Sequence, residues 1–326
     1  MAFANSDISD ILATTIANFS GSIADNVTDN NALMKKLQMK GRIKPFSGGY
    51  EIRQELSFQD NATAGYYSGG EILNISPADV ISASQWGIKQ AAVAVTITGL
   101  EMLQNAGPQE ISDLLDGRIE VAEASLANLI SNGIYSAGTG SGGKQITGLQ
   151  AQVVTAPTSG IVGGINRATW SFWQNQIFDF SAAFSASASA ANIQAGFNTL
   201  YARCTRGTDQ PDLVILDNTF WGFFTASLQT NQRFVGDSEM AKLGFMSMRY
   251  MNADVVLDGG IGGNCPTNTA YFLNTKYIHW RPHRDRNFVP IGGDRMSTNQ
   301  DAVVKLIGFA GNLTASGLQY QGIAFE

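Results

Sequence analysis

The sequence predicts an α+β protein with one long helix, a region of alternating short strands and helices, and a two-stranded β-ribbon. Residues 50–58 indicate the ribbon, because apolar and polar side chains alternate there as in a strand with one wet face. Residues 108–132 repeat apolar side chains at helical spacing, which indicates the long helix. Beyond residue 193, apolar runs of strand length alternate with helical patterns, as in α+β or α/β layers.

Residues 1–45 form a polar N-terminal arm with too few apolar residues to fold by itself. Apolar residues at helical spacing mark its helical patches: Ile8, Ile11, Leu12 and Ile16, then Leu33, Met34 and Leu37. Its C-terminal half is basic and carries Lys35, Lys36, Lys40, Arg42 and Lys44. Such a run is most often a solvated face, and otherwise a contact with an acidic neighbour or with DNA.

The ribbon follows the arm. One face of its first strand carries Tyr50, Ile52, Leu56 and Phe58, and the other carries Glu51, Arg53, Glu55 and Ser57. Gly65, Gly69 and Gly70 mark a loose tip, and the pattern returns through Glu71–Ile75 before Val93, Val95 and Ile97 alternate again. A two-stranded ribbon is marginal alone in water, so its apolar face must lie on its own body or on a neighbouring subunit.

The long helix begins at Gly107-Pro108 and runs to about Asn132, with Gly133 as a C-terminal stop. Its apolar stripe consists of Ile111, Leu114, Leu115, Ile119, Ala122, Leu126, Leu129 and Ile130. The opposite face carries Asp113, Asp116, Glu120 and Glu123. At 1.5 Å per residue the helix would span roughly 35 Å, which is longer than a typical helix of a globular protein. We therefore expect it to have a structural role.

The remaining elements follow a glycine-rich connector at 136–165. Residues 181–191 are rich in Ser and Ala, and periodicity leaves open whether they form a loop or a helix start. Helices are predicted at Ile193–Cys204 and Asn218–Leu228, and strands at Leu213–Leu216, Val255–Leu257, Tyr271–Leu273 and Ala302–Phe309. A turn at Gly311-Asn312 and a last strand finishing at Phe325 complete the prediction.

Composition excludes several classes of function. A net charge of -6 argues against a sequence-specific DNA reader, which would show a basic stripe. Charged residues make up 15% of the chain where about 25% is usual, which suits a subunit covered by its own copies. Cys204 and Cys265 give neither a disulfide framework nor a thiolate metal site. There is no signal-peptide pattern and no run near the ~18 apolar residues of a membrane span, so we expect a cytoplasmic protein.

The motifs that could carry chemistry are weak. Residues 138–145 satisfy both G-x-x-x-x-G-K and G-x-G-x-x-G, which are nucleotide-binding patterns. The context does not fit a phosphate loop, because a helix rather than a strand precedes these residues and no helix is expected after Thr147-Gly148. Gln145 also replaces the Ser or Thr that would hold magnesium. His279 and His283 stand four apart, yet Pro282 argues against a helix and no nucleophile elbow accompanies them. We therefore assign no catalytic, cofactor-binding or metal-binding residue.

Arginines are densest near the two histidines. Arg281, Arg284, Arg286 and Arg295 are interrupted by Asp285 and Asp294. Such mixed clusters usually form solvated or intersubunit salt-bridge networks, and less often contact phosphates without sequence preference.

Several stretches resemble a family of tailed-bacteriophage major capsid proteins. They are Gly49–Arg53, Lys89–Gly99 with Leu100-Glu101-Met102, Asn252–Val256 with Asp258-Gly259-Gly260, Phe272–Thr275, His283–Phe288, and Val303–Gly308 with Gly311–Thr314. They occur in order and cover the chain from about residue 45 onward.

The resemblance implies the Hong Kong 97-type capsid fold. It assigns residues 1–45 to an N-terminal arm, 46–91 to an extended loop, and 92–154 to a peripheral domain with the spine helix at 108–132. It assigns 155–300 to an axial domain and 301–326 to strands that return to the peripheral domain. In that family the extended loop lies across a neighbouring subunit, which would supply the apolar partner of the ribbon and leave Glu51, Arg53 and Glu55 to pair with charges there.

The implied function is that of a non-enzymatic shell subunit, which forms pentamers and hexamers and encloses double-stranded DNA in an icosahedral or prolate phage head. The implied location is the virion capsid, assembled in the bacterial host cytoplasm. Lys35–Lys44 and Arg281–Arg286 are the candidate contacts with DNA or with neighbours. Portal and decoration proteins are further expected partners.

Two departures from some family members refine the expectation. Residues 46–88 contain no Lys for a covalent crosslink, so we expect a non-covalent shell. Only residues 1–45 precede the ribbon, so we expect a separate scaffolding protein unless the chain is a processed form, against which Met1 argues. The alternatives are an encapsulin-type compartment shell, a nucleotide-binding enzyme that uses the loop 138–145, and a tail or decoration protein.

Overall fold

The computed structural model describes residues 31–76, 79–98, 100–101, 108–228, 247–259, 263–291, 295–296 and 302–326. The helical patch expected around Ile8–Ile16 lies outside these ranges. None of the helices in them combines the length and the hydropathy that a membrane span requires.

The basic half of the arm is folded onto the body. Helix α1 (Ala32–Met39) begins at Asn31, whose side chain accepts a hydrogen bond from the Met34 amide at 3.1 Å. Ala32, Leu33 and Leu37 are buried in the main core, as the spacing of Leu33 and Leu37 predicts. The chain then runs parallel to a later strand, with bridges between Ile43 and Trp280 and between Phe46 and His283.

The ribbon consists of strands β1 (Glu51–Ser57) and β2 (Ile81–Gly87), which pair antiparallel. The predicted first strand is therefore confirmed, but the predicted return through Glu71–Ile75 is wrong. The described part of the loop between β1 and β2 has no regular strand. Strand β3 (Lys89–Thr98), which carries the third alternating run, belongs to a different sheet.

The long helix α2 spans Pro108–Ile134. Proline at the first helical position fits this start, since its missing amide hydrogen would have no partner there. The helix continues through Gly133, the predicted stop, and ends one residue later. At 1.5 Å per residue its 27 residues span about 40 Å. Ala122, Leu126, Ile130 and Ile134 are buried, whereas Leu129, predicted on the same stripe, is 55% exposed.

Two minor helices and a hairpin connect the spine helix to the layered region. They are α3 (Leu149–Gln152), the hairpin of β4 (Ile161–Val162) and β5 (Ile165–Asn166), and, after β6 (Gln176–Asp179), helix α4 (Phe180–Phe184). The Ser/Ala-rich stretch therefore starts as a short helix and continues as a loop. The one-turn helix α3 differs from the expectation that no helix follows Thr147-Gly148.

The layered region contains the predicted elements. Its helices are α5 (Ile193–Cys204) and α6 (Asn218–Leu228), and its strands are β7 (Leu213–Leu216), β8 (Ser247–Tyr250), β9 (Ala253–Leu257) and β10 (Thr269–Leu273). Four strands follow in chain order. They are β11 (Ile278–Pro290), the two-residue edge strand β12 (Arg295–Met296), β13 (Ala302–Ala315) and β14 (Gly322–Phe325).

Two sheets organise these strands. A six-stranded mixed sheet has the order β6-β14-β10-β7-β9-β8, and a four-stranded sheet pairs β13 with β11, β12 and β3. Helices α5 and α6 cover one face of the six-stranded sheet through a cluster rich in phenylalanine, which includes Phe197, Phe220 and Phe272. The other face packs on α1 and the C-terminal part of α2. The six-stranded sheet is thus the middle of three layers.

The end of the chain differs from the prediction in two respects. No turn occurs at Gly311-Asn312, because β13 continues to Ala315. Gly311 is required there by close packing, since a Cβ atom would lie 2.8 Å from the Arg281 carbonyl oxygen. The last strand, β14, pairs with β6 and β10 in the six-stranded sheet, so residues 301–326 contribute to both sheets.

Candidate intersubunit surfaces

The root of the ribbon is anchored on its own subunit. Ile52, Leu56 and Trp86 are buried in a cluster with Trp173 and Leu318. The expectation that a neighbour supplies the apolar partner therefore does not hold for the root, because the chain covers this face itself.

Hydrogen bonds reinforce this anchor. The Trp86 indole donates to the Ser84 hydroxyl at 2.9 Å, and that hydroxyl donates to the Ala315 carbonyl at 3.1 Å. The Gln85 amide donates to the carbonyl of Gly163 at the tip of the β4–β5 hairpin, at 2.9 Å. Gly163 has φ +58°, and a Cβ atom there would lie 2.9 Å from the Trp86 ring. The hairpin therefore closes over the ribbon root only with glycine at this position.

The far part of the ribbon exposes apolar side chains. Exposed side chains at and beyond the root are Tyr50, Tyr66, Tyr67, Ile72, Leu73, Ile75 and Ile81. Tyr66 and Ile72 are essentially fully exposed, at 109% and 99%. A continuous stretch of this kind is typical of a surface that another molecule covers.

The polar face of β1 is turned towards solvent, as the sequence predicts. Arg53 and Glu55 are exposed, and Glu51 is half-buried. Their side chains form no hydrogen bond or ion pair with the part of the chain that the structure describes, so all three remain candidates for contact with another subunit. Tyr50, predicted on the buried face, is 94% exposed instead.

The acidic face of α2 is described only in part. Glu123 is exposed. Asp113, Asp116 and Glu120 lie on the helix, but their side chains fall outside the described residues. Arg118 forms an ion pair with Glu101 at 2.9 Å and donates to the Thr96 carbonyl at 2.6 Å, which ties α2 to the end of β3.

The basic arm is not a uniform solvated face. Lys36 is buried and its Nζ donates to Asp254 Oδ2 on β9 at 2.7 Å, so this lysine fastens α1 to the six-stranded sheet. Lys40 and Lys44 are exposed, and Lys35 and Arg42 are half-buried. The expectation of a solvated run is therefore wrong for Lys36, because a long side chain can reach an acidic partner that is 218 positions away in sequence.

Within the described residues the arginines of β11 form no ion pair, and an intersubunit salt-bridge network stays a prediction. Arg281 donates to Gln54 Oε1 and Arg286 donates to Gln90 Oε1, each at 3.4 Å. Arg284 is exposed, and the side chains of Asp294 and Arg295 lie outside the described residues. In the described part of the chain, the Arg281 and Arg286 guanidinium groups therefore contact neutral amides.

The two histidines lie on a strand, as Pro282 suggested. His283 packs edge-on against Phe46, with ring centroids 5.0 Å apart. His279 is buried, and burial together with the positive charges of Lys44, Arg42 and Arg281 lowers the pKa of His279 to about 4. Within the described ranges, no group of three His, Cys, Asp or Glu side chains is placed to hold a metal ion.

The glycine loop lacks the surroundings of a phosphate site. It follows helix α2 and a short turn rather than a strand. Ser141 and Gly142 have φ values of 53° and 67°, so the loop turns in the left-handed region. The Lys89 ammonium donates to the Gly143 carbonyl, and Lys144 is exposed. The loop is therefore a connector held against β3.

Sequence reasoning missed a buried polar junction that joins the arm, the spine helix and the layered region. The Tyr135 hydroxyl donates to Asp258 Oδ2. The Asn31 and Asn264 amides donate to the Ser131 hydroxyl at 3.0 and 3.1 Å. Burial raises the pKa of Asp258, and burial followed by the charge of Asp258 raises the pKa of Tyr135. No spacing rule connects these residues, because 100 positions or more separate the two members of each pair.

Ribbon, spine helix, four-stranded sheet and three-layered region together have the arrangement of the Hong Kong 97-type capsid fold, and comparison with solved structures bears this out. The chain is similar to the capsid asymmetric unit of Cyanophage A-1(L), with a TM-score of 0.71 and 15% identity over 94% of this chain and 95% of that chain. It is similar to the capsid of an empty GTA particle, with a TM-score of 0.62 and 12% identity over 94% and 93%.

The holo-SrpI encapsulin complex from Synechococcus elongatus also matches, with a TM-score of 0.51 and 8% identity over 95% of this chain and 94% of that chain. No protein-family model and no curated protein matches the chain. The chain therefore has the capsid fold along nearly its whole length.

Proposed function

We propose that this protein is the structural subunit of a phage head, which assembles into pentamers and hexamers and encloses double-stranded DNA. The observation that supports it most is the similarity to the Cyanophage A-1(L) capsid, which extends over 94% of this chain and 95% of that one. The exposed apolar ribbon supports self-association, because burying it requires another molecule. The protein would act through geometry rather than catalysis, since many weak contacts per copy give a closed shell by avidity.

The first test is light scattering with negative-stain microscopy on the purified protein, expressed alone and with the other genes of its cluster. We expect closed particles or rings of five and six. A monodisperse monomer under co-expression with a scaffolding protein would contradict the proposal.

An encapsulin-type shell is the second candidate, because the encapsulin match also covers almost the whole chain. The contents of purified particles separate the two functions. Nuclease-protected DNA in the particles supports the phage head, and a co-purifying enzyme in place of DNA supports the compartment shell.

The regions take the roles that the resemblance implies: arm 1–45, extended loop 46–91, peripheral domain 92–154 with 301–326, and axial domain 155–300. A separate scaffolding protein, a portal and decoration proteins are the further partners. The particle would assemble in the bacterial cytoplasm and become the virion capsid.

The proposed contact residues are the ribbon charges Glu51, Arg53 and Glu55, the helix acids, the arm cations other than the buried Lys36, and the β11 arginines. Arg284 gives the clearest test, since it is exposed and is not needed for packing. Arg284→Glu is expected to lower particle yield without changing the melting temperature of the subunit. Arg249→Glu, also exposed but on β8, is the matched control. Equal yields from the two variants would remove Arg284 from the proposed contacts.

A further inference from the structure

The segment between helix α1 and the ribbon, residues 42–46, is a strap that is held at both ends. Before it, α1 is buried in the main core, and after it, β1 is anchored at the ribbon root. Gly41 and Gly49 flank the strap with φ values of +63° and +119°. Glycine adopts these and other backbone conformations with little strain, so both positions can act as hinges.

Few contacts attach the strap to β11. Two of its side chains, Ile43 and Phe46, pack on the hydrophobic clusters. The rest is backbone pairing, in which hydrogen bonds of 2.9 to 3.1 Å run from Lys44 N to Trp280 O, from Trp280 N to Arg42 O, from Phe46 N to Pro282 O and from Arg284 N to Phe46 O. A short segment held in this way can open locally while the sheets behind it stay folded.

His279 lies on β11 beside the strap, among positive charges. Backbone pairing places Arg42 opposite His279. It also places Lys44 opposite Arg281, two residues further along β11. Side chains two positions apart on a strand share a face, so these four basic side chains lie on one face of the sheet. Burial, and then the charges of Lys44, Arg42 and Arg281, disfavour a proton on the His279 imidazole.

Among the described residues, no acid offsets these charges at His279. Strand β13 pairs with β11 on the side away from the strap and brings Thr314 and Asn312 to this face, neither of which titrates. The charged side chains of β1, Glu51 and Arg53, do not act on His279. A proton on this imidazole would therefore add a fourth positive charge to a face without a counter-charge.

The attached strap also buries polar atoms that lack partners. Arg42 Nε, His279 Nδ1 and Arg281 Nε have no hydrogen-bond partner among the described residues. Buried polar atoms are nearly always paired, so the attached state carries an unfavourable desolvation free energy at this face. Detachment of the strap would give these atoms access to water. One more desolvated charge on His279 would add to the same opposing free energy.

We propose that a proton taken up by His279 releases the strap from β11, which makes this part of the arm an acid-sensitive attachment. Release exposes Arg42 and Lys44 to solvent and leaves α1 and β1 in place. It also uncovers the edge of β11 with which the strap was paired. The inference goes beyond the proposed function, because it concerns each subunit by itself and holds whether or not the subunit forms shells.

The response has a defined direction and pH range. The pKa of His279 is about 4 with the strap attached, and the ordinary value of 6.5 applies once water reaches the imidazole. The detached state binds more protons between these two values, so attachment weakens as pH falls through that range. The ratio of detached to attached strap should rise about thirtyfold from pH 7.5 to pH 5.

Hydrogen exchange with mass spectrometry on the full-length subunit at these two pH values tests the proposal. The intrinsic exchange rate changes with pH, so each variant is compared with the wild type at the same pH. His279→Gln keeps a polar side chain of similar size that takes up no proton. His283→Gln removes the only other histidine of the chain and is the matched control.

We expect the ratio of wild-type to His279→Gln exchange in the strap to rise about thirtyfold from pH 7.5 to pH 5. His283→Gln should behave like the wild type at both pH values. If His279→Gln does not fold, an NMR titration of the two imidazoles serves instead. In that titration, exchange of the strap should follow the protonated fraction of His279.

Three outcomes would overturn the proposal. A ratio that stays constant with pH would show that His279 does not control the strap. Loss of the response in His283→Gln would assign it to the other histidine. Equal acceleration in the strap, in α1 and in the six-stranded sheet would show that acid unfolds the whole subunit and does not release the strap alone.

Discussion

Replacing Trp86 by alanine is expected to release the ribbon from the body of its own subunit. Trp86 is 2% exposed and packs among Ile52, Leu56 and Trp173. Its indole also donates the 2.9 Å hydrogen bond to Ser84. Truncating a buried tryptophan costs about 3–5 kcal/mol, because apolar burial is lost and a cavity remains.

The cost should appear locally rather than in the melting temperature alone. The ribbon contacts the body mainly through this cluster, so it can open without unfolding of the six-stranded sheet. Since 1.4 kcal/mol corresponds to a factor of ten, amide exchange in β1 and β2 should accelerate by about two to three and a half powers of ten. Hydrogen exchange with mass spectrometry on the dissociated subunit measures this directly.

The control is Tyr50→Ala, because Tyr50 is adjacent to β1 but 94% exposed. Its exchange should match that of the wild type.

Gly163→Ala tests the same anchor from the β4–β5 hairpin. A Cβ atom at position 163 would press on the Trp86 ring, so this variant should also accelerate amide exchange in β1 and β2. If exchange in β1 and β2 of Trp86→Ala stays within threefold of the wild type, the packing argument is refuted.

Three further predictions concern stability and the covalent state. Lys36→Met leaves Asp254 buried without its ion-pair partner and should cost about 3–5 kcal/mol in urea unfolding, whereas Lys36→Met/Asp254→Leu should recover most of that loss. A double variant whose loss equals the sum of the losses of Lys36→Met and Asp254→Leu would show that the two residues are not coupled. The free energy of unfolding of the dissociated subunit should fall by up to about 3 kcal/mol as pH drops from 6.5 towards 4. The reason is that His279 takes up a proton at its ordinary pKa of 6.5 in the unfolded chain but at a pKa of about 4 in the folded chain. His279→Gln should remove that slope, and an unchanged slope would assign it to other groups. Boiling assembled particles in denaturant should give a single band at the monomer mass, because residues 46–88 offer no lysine for a crosslink, and a ladder of multiples would contradict this.

The sequence predicted elements whose pattern is local. The alternation of β1, the apolar stripe of α2 and the helix at Ile193–Cys204 are properties of neighbouring residues, and the structure has them within one or two positions. Strand pairing is not local. The return strand of the ribbon was placed at Glu71–Ile75 because the alternation resumes there, but β2 carries Trp86, whose packing on the body fixes the register.

Candidate contact residues were predicted by charge alone, and charge does not reveal burial. Glu55 and Arg284 are exposed as expected, whereas Lys36 is enclosed and paired. Arg281 was predicted from its position in a run of arginines, but its relation to Arg42 depends on the arm lying beside β11. That relation arises from backbone bridges between segments more than 200 positions apart, for which the sequence holds no periodic signal.

The position of β14 sets the order in which the molecule can be completed. This strand lies between β6 and β10, although it follows both of them by many residues in the chain. During synthesis, the two facing edges of β6 and β10 therefore stay apart until residues 322–325 have left the ribosome. A nascent chain can form the spine helix early, but the ribbon root, which packs on Ala315 and Leu318, and the six-stranded sheet are completed only when the C-terminal residues emerge. The topology therefore delays completion of the six-stranded sheet until β14 has been translated.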